Sequence, residues 1–225
     1  MTTVVLCGSL GSTAAMWEPQ LDTLRAHRVV QIEHPGHGTT PVFPAPSIGT
    51  LADRVAGAVD GSFAFVGLSL GGAIGMRLAA THPERVERLV LACTSPRFGD
   101  PAQWLERAAT VRRDGLAAIV DAVLARWFTG GDVERWRAMF LSVDPEGYAR
   151  CCEALAWWNG SRDLPRIAAP TLVVAGASDP TSPPAHGQAI AGRIEGSRFA
   201  VLDGAAHLAN VEQAQAFNEL LEGFL

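Results

Sequence analysis

Short apolar runs alternate along the chain with longer segments of helical periodicity. Apolar runs of about four to eight residues, bounded by glycine or polar residues, are typical of buried strands. Such runs lie at residues 4–7, 29–32, 63–67, 86–93, 171–175 and 198–202. Apolar residues recur at helical spacing over residues 14–26, 51–59, 70–82, 185–194 and 211–225.

This alternation of strand and helix predicts the α/β fold class. Parallel strands need crossover connections, which are usually helices packed on the faces of the sheet. We therefore expect a doubly wound, mostly parallel sheet of about six strands. Ligands of such sheets bind at the carboxyl ends of the strands, so functional residues should lie on the loops that follow them.

The alternation of strands and helices is interrupted by a long stretch rich in Trp, Ala and Arg. Helical spacing continues there, but no segment has the pattern of a strand. We predict a helical insertion over residues 96–167, with the core formed by residues 1–95 and 168–225. The aromatic pairs Trp127-Phe128 and Trp157-Trp158 favour a lid over an apolar pocket. Extra packing without a lid role is the alternative.

Composition excludes several kinds of chemistry. All 18 basic residues are arginine, which rules out a Schiff-base lysine, a phosphate-loop lysine and a Ser-Lys dyad. A net charge of -5 gives no basic surface for nucleic acid. No apolar stretch approaches the roughly 20 residues of a membrane span, and no signal sequence opens the chain. The expected location is cytoplasmic, with neither nucleic acid nor membrane as partner, and the oligomeric state stays open.

Neither a metal nor a cofactor is expected. The four cysteines lack the paired spacing of a zinc site, and we interpret them as reduced core thiols. The histidines outside the C-terminal region lack metal-ligand spacing and are interpreted as ordinary polar residues; these are His27, His34, His37 and His82.

A G-x-S-x-G motif at residues 67–71 carries the main chemical signal. It directly follows a predicted strand and precedes a predicted helix, the context of a serine nucleophile on a sharp turn. Small glycines beside Ser69 allow the neighbouring backbone to approach closely. The first amide of the helix, that of Leu70, is the expected donor to an oxyanion. The alternative is a glycine-rich turn with an incidental serine.

A serine hydroxyl needs a histidine base, and in this fold the base follows the last strand. Only His186 and His207 lie near the C-terminus. His207 comes just beyond the strand predicted at residues 198–202, whereas His186 falls at a helix start behind two prolines. We therefore predict His207 as the base.

The acid that orients the base should lie on another post-strand loop. Asp179 follows the strand predicted at residues 171–175 and is the favoured acid. Its rival, Asp203, stands only four residues before His207 and is better placed to orient that loop. A second oxyanion donor is expected from the loop after the first strand, where we choose the Leu10 amide.

Several segments together resemble the 3-oxoadipate enol-lactonases of the α/β-hydrolase superfamily. The Ser-Leu-Gly and Arg-Trp-Phe-Thr segments are the family-like ones, since G-x-S-x-G is common to many hydrolases. The chain departs from the family pattern by lacking the usual N-terminal strand pair and by having Glu33-His34-Pro35 in place of Asp-x-Arg. The matching segments are Gly8-Ser9-Leu10-Gly11-Ser12 with Met16-Trp17, Gly36-His37-Gly38, Gly67-Leu68-Ser69-Leu70-Gly71-Gly72, Arg126-Trp127-Phe128-Thr129, Glu146-Gly147-Tyr148, and Ala206-His207 with Asn210.

This resemblance implies opening of the lactone ring of 3-oxoadipate enol-lactone to give 3-oxoadipate, in the β-ketoadipate pathway of aromatic catabolism. The reaction would pass through an acyl-enzyme on Ser69. A substrate carboxylate needs a cation or several donors, and Arg126 beside Trp127 is the candidate. Arg126 as a solvated charge and Trp127 as lid core are the competing interpretations.

Two further functions stay open at this point. A broad carboxylesterase, or a cofactor-free haloperoxidase-like perhydrolase, would use the same triad on another small ester substrate. A catalytically silent hydrolase-fold protein would instead bind a small ligand. The retained serine excludes an aspartate-based dehalogenase and a cysteine-based dienelactone hydrolase.

Overall fold

Six parallel strands form one sheet at the centre of the protein. The computed structural model describes residues 2–43 and 47–225. The order across the sheet is β2-β1-β3-β4-β5-β6, and every neighbouring pair is parallel, which confirms the predicted fold class. The strands are β1 (Thr3–Cys7), β2 (Arg28–Ile32), β3 (Phe63–Leu68), β4 (Val86–Ala92), β5 (Thr171–Gly176) and β6 (Arg198–Leu202).

Two of the helices between β4 and β5 begin at a capping aspartate. Asp100 and Asp144 each accept a backbone amide at a helix start and are each followed by a proline, which suits a first-turn position. The helices are α1 (Glu18–Leu21), α2 (Ile48–Ala58), α3 (Leu70–Thr81), α4 (Pro101–Asp114), α5 (Val120–Trp127), α6 (Glu134–Leu141), α7 (Pro145–Ala156), α8 (Pro184–Ala191), α9 (Ala209–Glu212) and α10 (Ala214–Glu222).

The strand order places a topological switch point between β1 and β3. The connection from β1 to β2 runs toward one edge of the sheet, and the next connection returns across β1 to β3. Because crossovers are right-handed, these connections lie on opposite faces. A crevice forms at the carboxyl ends of strands on either side of such a point, and here the loops after β1 and β3 meet.

Two predicted helices are shorter or broken in the structure. The segment at residues 14–26 is a 3₁₀ turn over Ala14–Trp17 followed by the single turn of α1. Pro19 lacks an amide hydrogen and therefore stands in the first turn of a new helix instead of inside a longer one. The segment at residues 211–225 divides into α9 and α10 at Gln213, whose backbone leaves the helical region at φ -121° and ψ 50°.

Between β4 and β5 the chain forms the four helices α4 to α7 and three 3₁₀ turns, with α4 packed along α7. Aromatic edge-to-face contacts join Trp127, Phe140 and Tyr148 within this segment. The predicted pair Trp157-Trp158 lies elsewhere, in a groove beside Arg77. Within the described ranges, no helix has the length and hydropathy needed to cross a membrane.

Candidate active site

Ser69 occupies a strained turn between β3 and α3. Its backbone has φ 59° and ψ -111°, a region that costs a non-glycine residue roughly 1–3 kcal/mol. The turn is held on both sides: the Ser69 amide donates to the Ala92 carbonyl at 2.9 Å, and the Ser69 carbonyl accepts from the Thr94 hydroxyl at 2.7 Å. The surrounding sheet thus fixes the direction of the serine side chain.

The flanking glycines are required by close backbone approach. A Cβ on Gly67 would lie 2.3 Å from the Gly71 carbonyl oxygen, and a Cβ on Gly71 would lie 2.0 Å from the Cys7 carbonyl oxygen. Real Cβ atoms do not approach oxygen this closely. The motif therefore lets the start of α3 pack directly against the ends of β1 and β3.

Ser69, His207 and Asp179 form one buried hydrogen-bonded chain. Nε2 of His207 lies 2.8 Å from Oγ of Ser69, and Nδ1 of His207 lies 2.7 Å from Oδ2 of Asp179. An ionised carboxylate only accepts, so Nδ1 carries the proton and Nε2 can accept the serine proton. The other oxygen of Asp179 accepts the amides of Thr181 and Ser182 at 2.8 and 3.0 Å.

The rival residues from the sequence lie outside this chain. Asp203 follows β6 with an exposed side chain. His186 lies on α8 and lines an adjoining cleft. The loops that follow β3, β5 and β6 therefore bring Ser69, Asp179 and His207 together.

The predicted oxyanion donors lie on the two loops that meet at the switch point. Leu70 is the first residue of α3, and Leu10 lines the cleft together with Ser69. Within the described residues, neither amide donates a hydrogen bond to the protein, so both remain available to a developing oxyanion. The loop after β1 is tied to α3 by the Gly71 amide, which donates to the Gly8 carbonyl at 3.0 Å.

Two buried histidines hold the loop after β1, a role that the sequence analysis missed. His34 Nε2 donates to the Gly8 carbonyl at 2.8 Å, and the Gly11 amide donates to His37 Nε2 at 3.0 Å. Burial lowers the pKa of His34 to about 4 and that of His37 to about 3. Both rings are therefore neutral at neutral pH, as these hydrogen bonds require. The Gly-His-Gly segment after β2 was the available signal.

Ser69 and His207 line a cleft whose walls also include Arg126 and Trp127. Five further lining residues come from the helices between β4 and β5 and were not predicted: Trp104, Arg107, Val123, Tyr148 and Leu155. An adjoining outer cleft is also lined by Trp104, Arg107, Arg126 and Thr181.

The charged side chains that line these clefts are basic. Arg107 lies over the Trp104 ring at 4.9 Å, and Arg126 stands beside Trp127. No Asp or Glu is among the lining residues that the structure describes. The two arginines therefore offer a site for an anionic group close to Ser69.

The described residues include neither a cluster of metal-ligating side chains nor an exposed thiol. No group of three His, Cys, Asp or Glu side chains within residues 2–43 and 47–225 is arranged to hold a metal ion. All four cysteines are buried and unpaired. Burial raises the pKa of the Cys7 thiol to about 12, so this thiol is not a nucleophile at neutral pH.

The sheet, the strained serine turn and the three post-strand loops define an α/β hydrolase. The profile of the alpha/beta hydrolase family matches residues 4–220, and the chain belongs to this family.

Particular relatives are similar over nearly the whole chain. The 3-oxoadipate enol-lactonase 2 of Acinetobacter baylyi is 37% identical over 99% of this chain and 88% of its own. The crystal structure of the enol-lactonase from Burkholderia xenovorans LB400 is 38% identical, with a TM-score of 0.95, and covers 99% of this chain and 90% of its own. A malate-bound thermophilic esterase from Thermogutta terrifontis is 29% identical, with a TM-score of 0.93 over 99% and 89% of the two chains.

Proposed function

We propose that the protein is a serine hydrolase that opens the lactone ring of 3-oxoadipate enol-lactone to give 3-oxoadipate. The observation that carries the proposal is the chain from Asp179 through His207 to Ser69 at the floor of a cleft with two arginines. Two enol-lactonases that are 37% and 38% identical to this chain support the choice of substrate.

The first half of the reaction forms an acyl-enzyme. Nε2 of His207 takes the proton of the Ser69 hydroxyl, and Oγ attacks the lactone carbonyl carbon. The amides of Leu10 and Leu70 donate to the oxygen of the tetrahedral intermediate. The bond between carbonyl carbon and ring oxygen then breaks. The ring oxygen leaves as an enolate and takes the proton from Nε2 of His207, which leaves His207 neutral again. The resulting enol stays attached to the acyl chain and tautomerises to a ketone.

The second half releases the product. His207 removes a proton from water, which attacks the acyl carbon, and the proton returns to the Ser69 oxygen as it departs. Asp179 stabilises the imidazolium that forms in each half and keeps Nε2 directed at the serine. An enol is more acidic than an alcohol, so the first half needs little acid assistance. Hydrolysis of the acyl-enzyme is expected to limit the rate.

Arg126 and Arg107 are the proposed partners of the free carboxylate that an enol-lactone of a six-carbon diacid retains. Trp127 forms the apolar wall beside them. Guanidinium groups bind carboxylates through paired, charge-assisted hydrogen bonds. A cleft with cations and no lining carboxylate selects an anionic lactone over a neutral ester of similar size.

We also propose that the segment at residues 96–167 acts as a lid. Its helices supply Trp104, Arg107, Arg126, Trp127 and Tyr148 to the cleft, while the core supplies the reacting side chains. A cover of this kind excludes water from the reacting carbonyl and strengthens the electrostatic interactions beneath it.

Hydrolysis of simple esters is the second candidate function, favoured by the similarity to the Thermogutta terrifontis esterase. Loss of enol-lactone ultraviolet absorbance with wild-type protein and with Ser69→Ala, run beside p-nitrophenyl acetate, separates the candidates. Fast lactone loss that Ser69→Ala abolishes supports the lactonase. Turnover of the ester alone contradicts the lactonase and leaves the hydrolase. Turnover of neither substrate favours a binding role.

A further inference from the structure

A single carboxylate joins the loop that carries His207 to the end of α5. Oε1 of Glu212 accepts both the amide and the hydroxyl of Thr129 at 2.7 Å, and Oε2 accepts the amide of Ala206 at 2.6 Å. Glu212 lies at the end of α9, on the core, whereas Thr129 follows α5 in the segment between β4 and β5. We call this set of three hydrogen bonds the Glu212 clip.

The backbone on the other side of His207 is tied to the same segment. The Leu208 amide donates to the Trp127 carbonyl at 3.0 Å. The residues immediately before and after His207 are thus both fixed against the short segment Trp127 to Thr129, one through Glu212 and the other directly. The His207 loop therefore takes its position from the α5 end as well as from β6.

The chemistry of the clip requires a carboxylate. Three donors converge on Glu212, and an ionised carboxylate has only acceptor sites. A glutamine of the same length would turn an NH₂ group toward one set of donors and lose hydrogen bonds on that side. Among the salt bridges of the described residues, none pairs Glu212 with an arginine, so these donors are the groups that compensate its charge.

We infer that Glu212 is a positioning residue for His207, acting through Ala206 and Thr129 to hold the imidazole between Ser69 and Asp179. This inference rests on the proposed function only in taking His207 as the base. Proton transfer needs heavy atoms within hydrogen-bond distance, and a displacement of about 1 Å costs on the order of 100-fold in rate. The same contacts hold the wall formed by Trp127.

The test compares Glu212→Gln, Thr129→Val and the double variant with Glu219→Gln, a matched control on an exposed side chain of α10. We expect Glu212→Gln to lower kcat by about 10- to 100-fold while KM changes far less, because the substrate site survives and the base is misplaced. Thr129→Val should lower kcat less, and the double variant should fall short of the product of the two single effects. Glu219→Gln should match the wild type.

Proton NMR adds a readout that does not depend on turnover. The proton shared by His207 Nδ1 and Asp179 should give a low-field signal in the wild type, which Glu212→Gln and Thr129→Val should shift or broaden by exchange. A wild-type kcat and an unchanged signal in both variants would overturn the inference, as would strictly additive effects. If Glu212→Gln fails to fold, Thr129→Val decides alone. If the wild type hydrolyses no lactone, the proposed function fails, while the NMR comparison still decides on the clip.

Discussion

Asp179 holds His207 by one oxygen and is itself held by the other. Oδ2 lies 2.7 Å from Nδ1 of the imidazole, and Oδ1 accepts the amides of Thr181 and Ser182. The carboxylate cannot rotate without losing the hydrogen bonds that these two amides donate to it. One tautomer of His207, with its acceptor Nε2 toward Ser69, is therefore built into the loop that follows β5.

Replacing Asp179 by asparagine should remove activity with little change of shape. The amide can retain its oxygen toward Thr181 and Ser182 only by turning its NH₂ group to His207, which favours the wrong tautomer. We expect kcat to fall by about 10⁴-fold. The matched control Asp203→Asn, on an exposed side chain, should keep wild-type kcat. Steady-state kinetics with circular dichroism checks this, and the reverse ranking of the two variants would contradict the assignment.

Gly71→Ala should destabilise the fold by about 2 kcal/mol or more. Its Cβ would meet the Cys7 carbonyl oxygen at 2.0 Å, so β1 and α3 must separate. Gly57→Ala in α2 is the control, because a Cβ at Gly57 would meet no atom within 4 Å. Since alanine favours the helix more than glycine does, this variant should be more stable than the wild type by about 0.5–1 kcal/mol. Urea unfolding measures both changes. Equal stability of the two variants would show that the contact at Gly71 relaxes without cost.

The elements that the sequence predicted best are those with strong local signals. Short, mostly apolar runs marked all six strands, and the glycine motif marked the turn at Ser69, because both signals depend on neighbouring residues. The prediction of one helix over residues 14–26 was wrong. It followed the apolar periodicity and gave too little weight to Pro19, which begins a new helix. Arg107 and the loop-holding His37 acquire their places only through packing between distant segments, which no local pattern records.

Acid should weaken the protein through its buried histidines. Above pH 6.5, His34 and His37 are neutral in both the folded and the unfolded chain. As the pH falls below 6.5, the unfolded chain binds protons first, because burial lowers the folded pKa of His34 to about 4 and that of His37 to about 3. The free energy of unfolding should therefore fall by about 1 kcal/mol per pH unit for each histidine.

Urea unfolding between pH 6.5 and 5 measures this slope in a range where most carboxylates remain ionised. His37→Gln, which keeps an acceptor for the Gly11 amide, should lose the contribution of one histidine. A slope equal to that of the wild type would mean that His37 does not resist protonation in the folded protein.

Arg107 and Arg126 should govern the choice between anionic and neutral substrates. Replacing either by glutamine removes a charge-assisted contact worth roughly 1.5–3 kcal/mol to a bound carboxylate. We expect kcat/KM for the enol-lactone to fall by about 10- to 100-fold, with little change for p-nitrophenyl acetate. Arg193→Gln, an exposed arginine outside both clefts, is the control. Equal losses on both substrates would assign the arginines to structure instead of selection.

Labelling with a fluorophosphonate tests whether Ser69 is the nucleophile of lactone hydrolysis. The reagent phosphonylates an activated serine, and peptide mass spectrometry locates the adduct. We expect one label per chain, on Ser69, formed in step with the loss of lactonase activity and absent from Ser69→Ala. A label on another residue that tracks the loss of activity, or undiminished lactone turnover with Ser69 fully labelled, would contradict it.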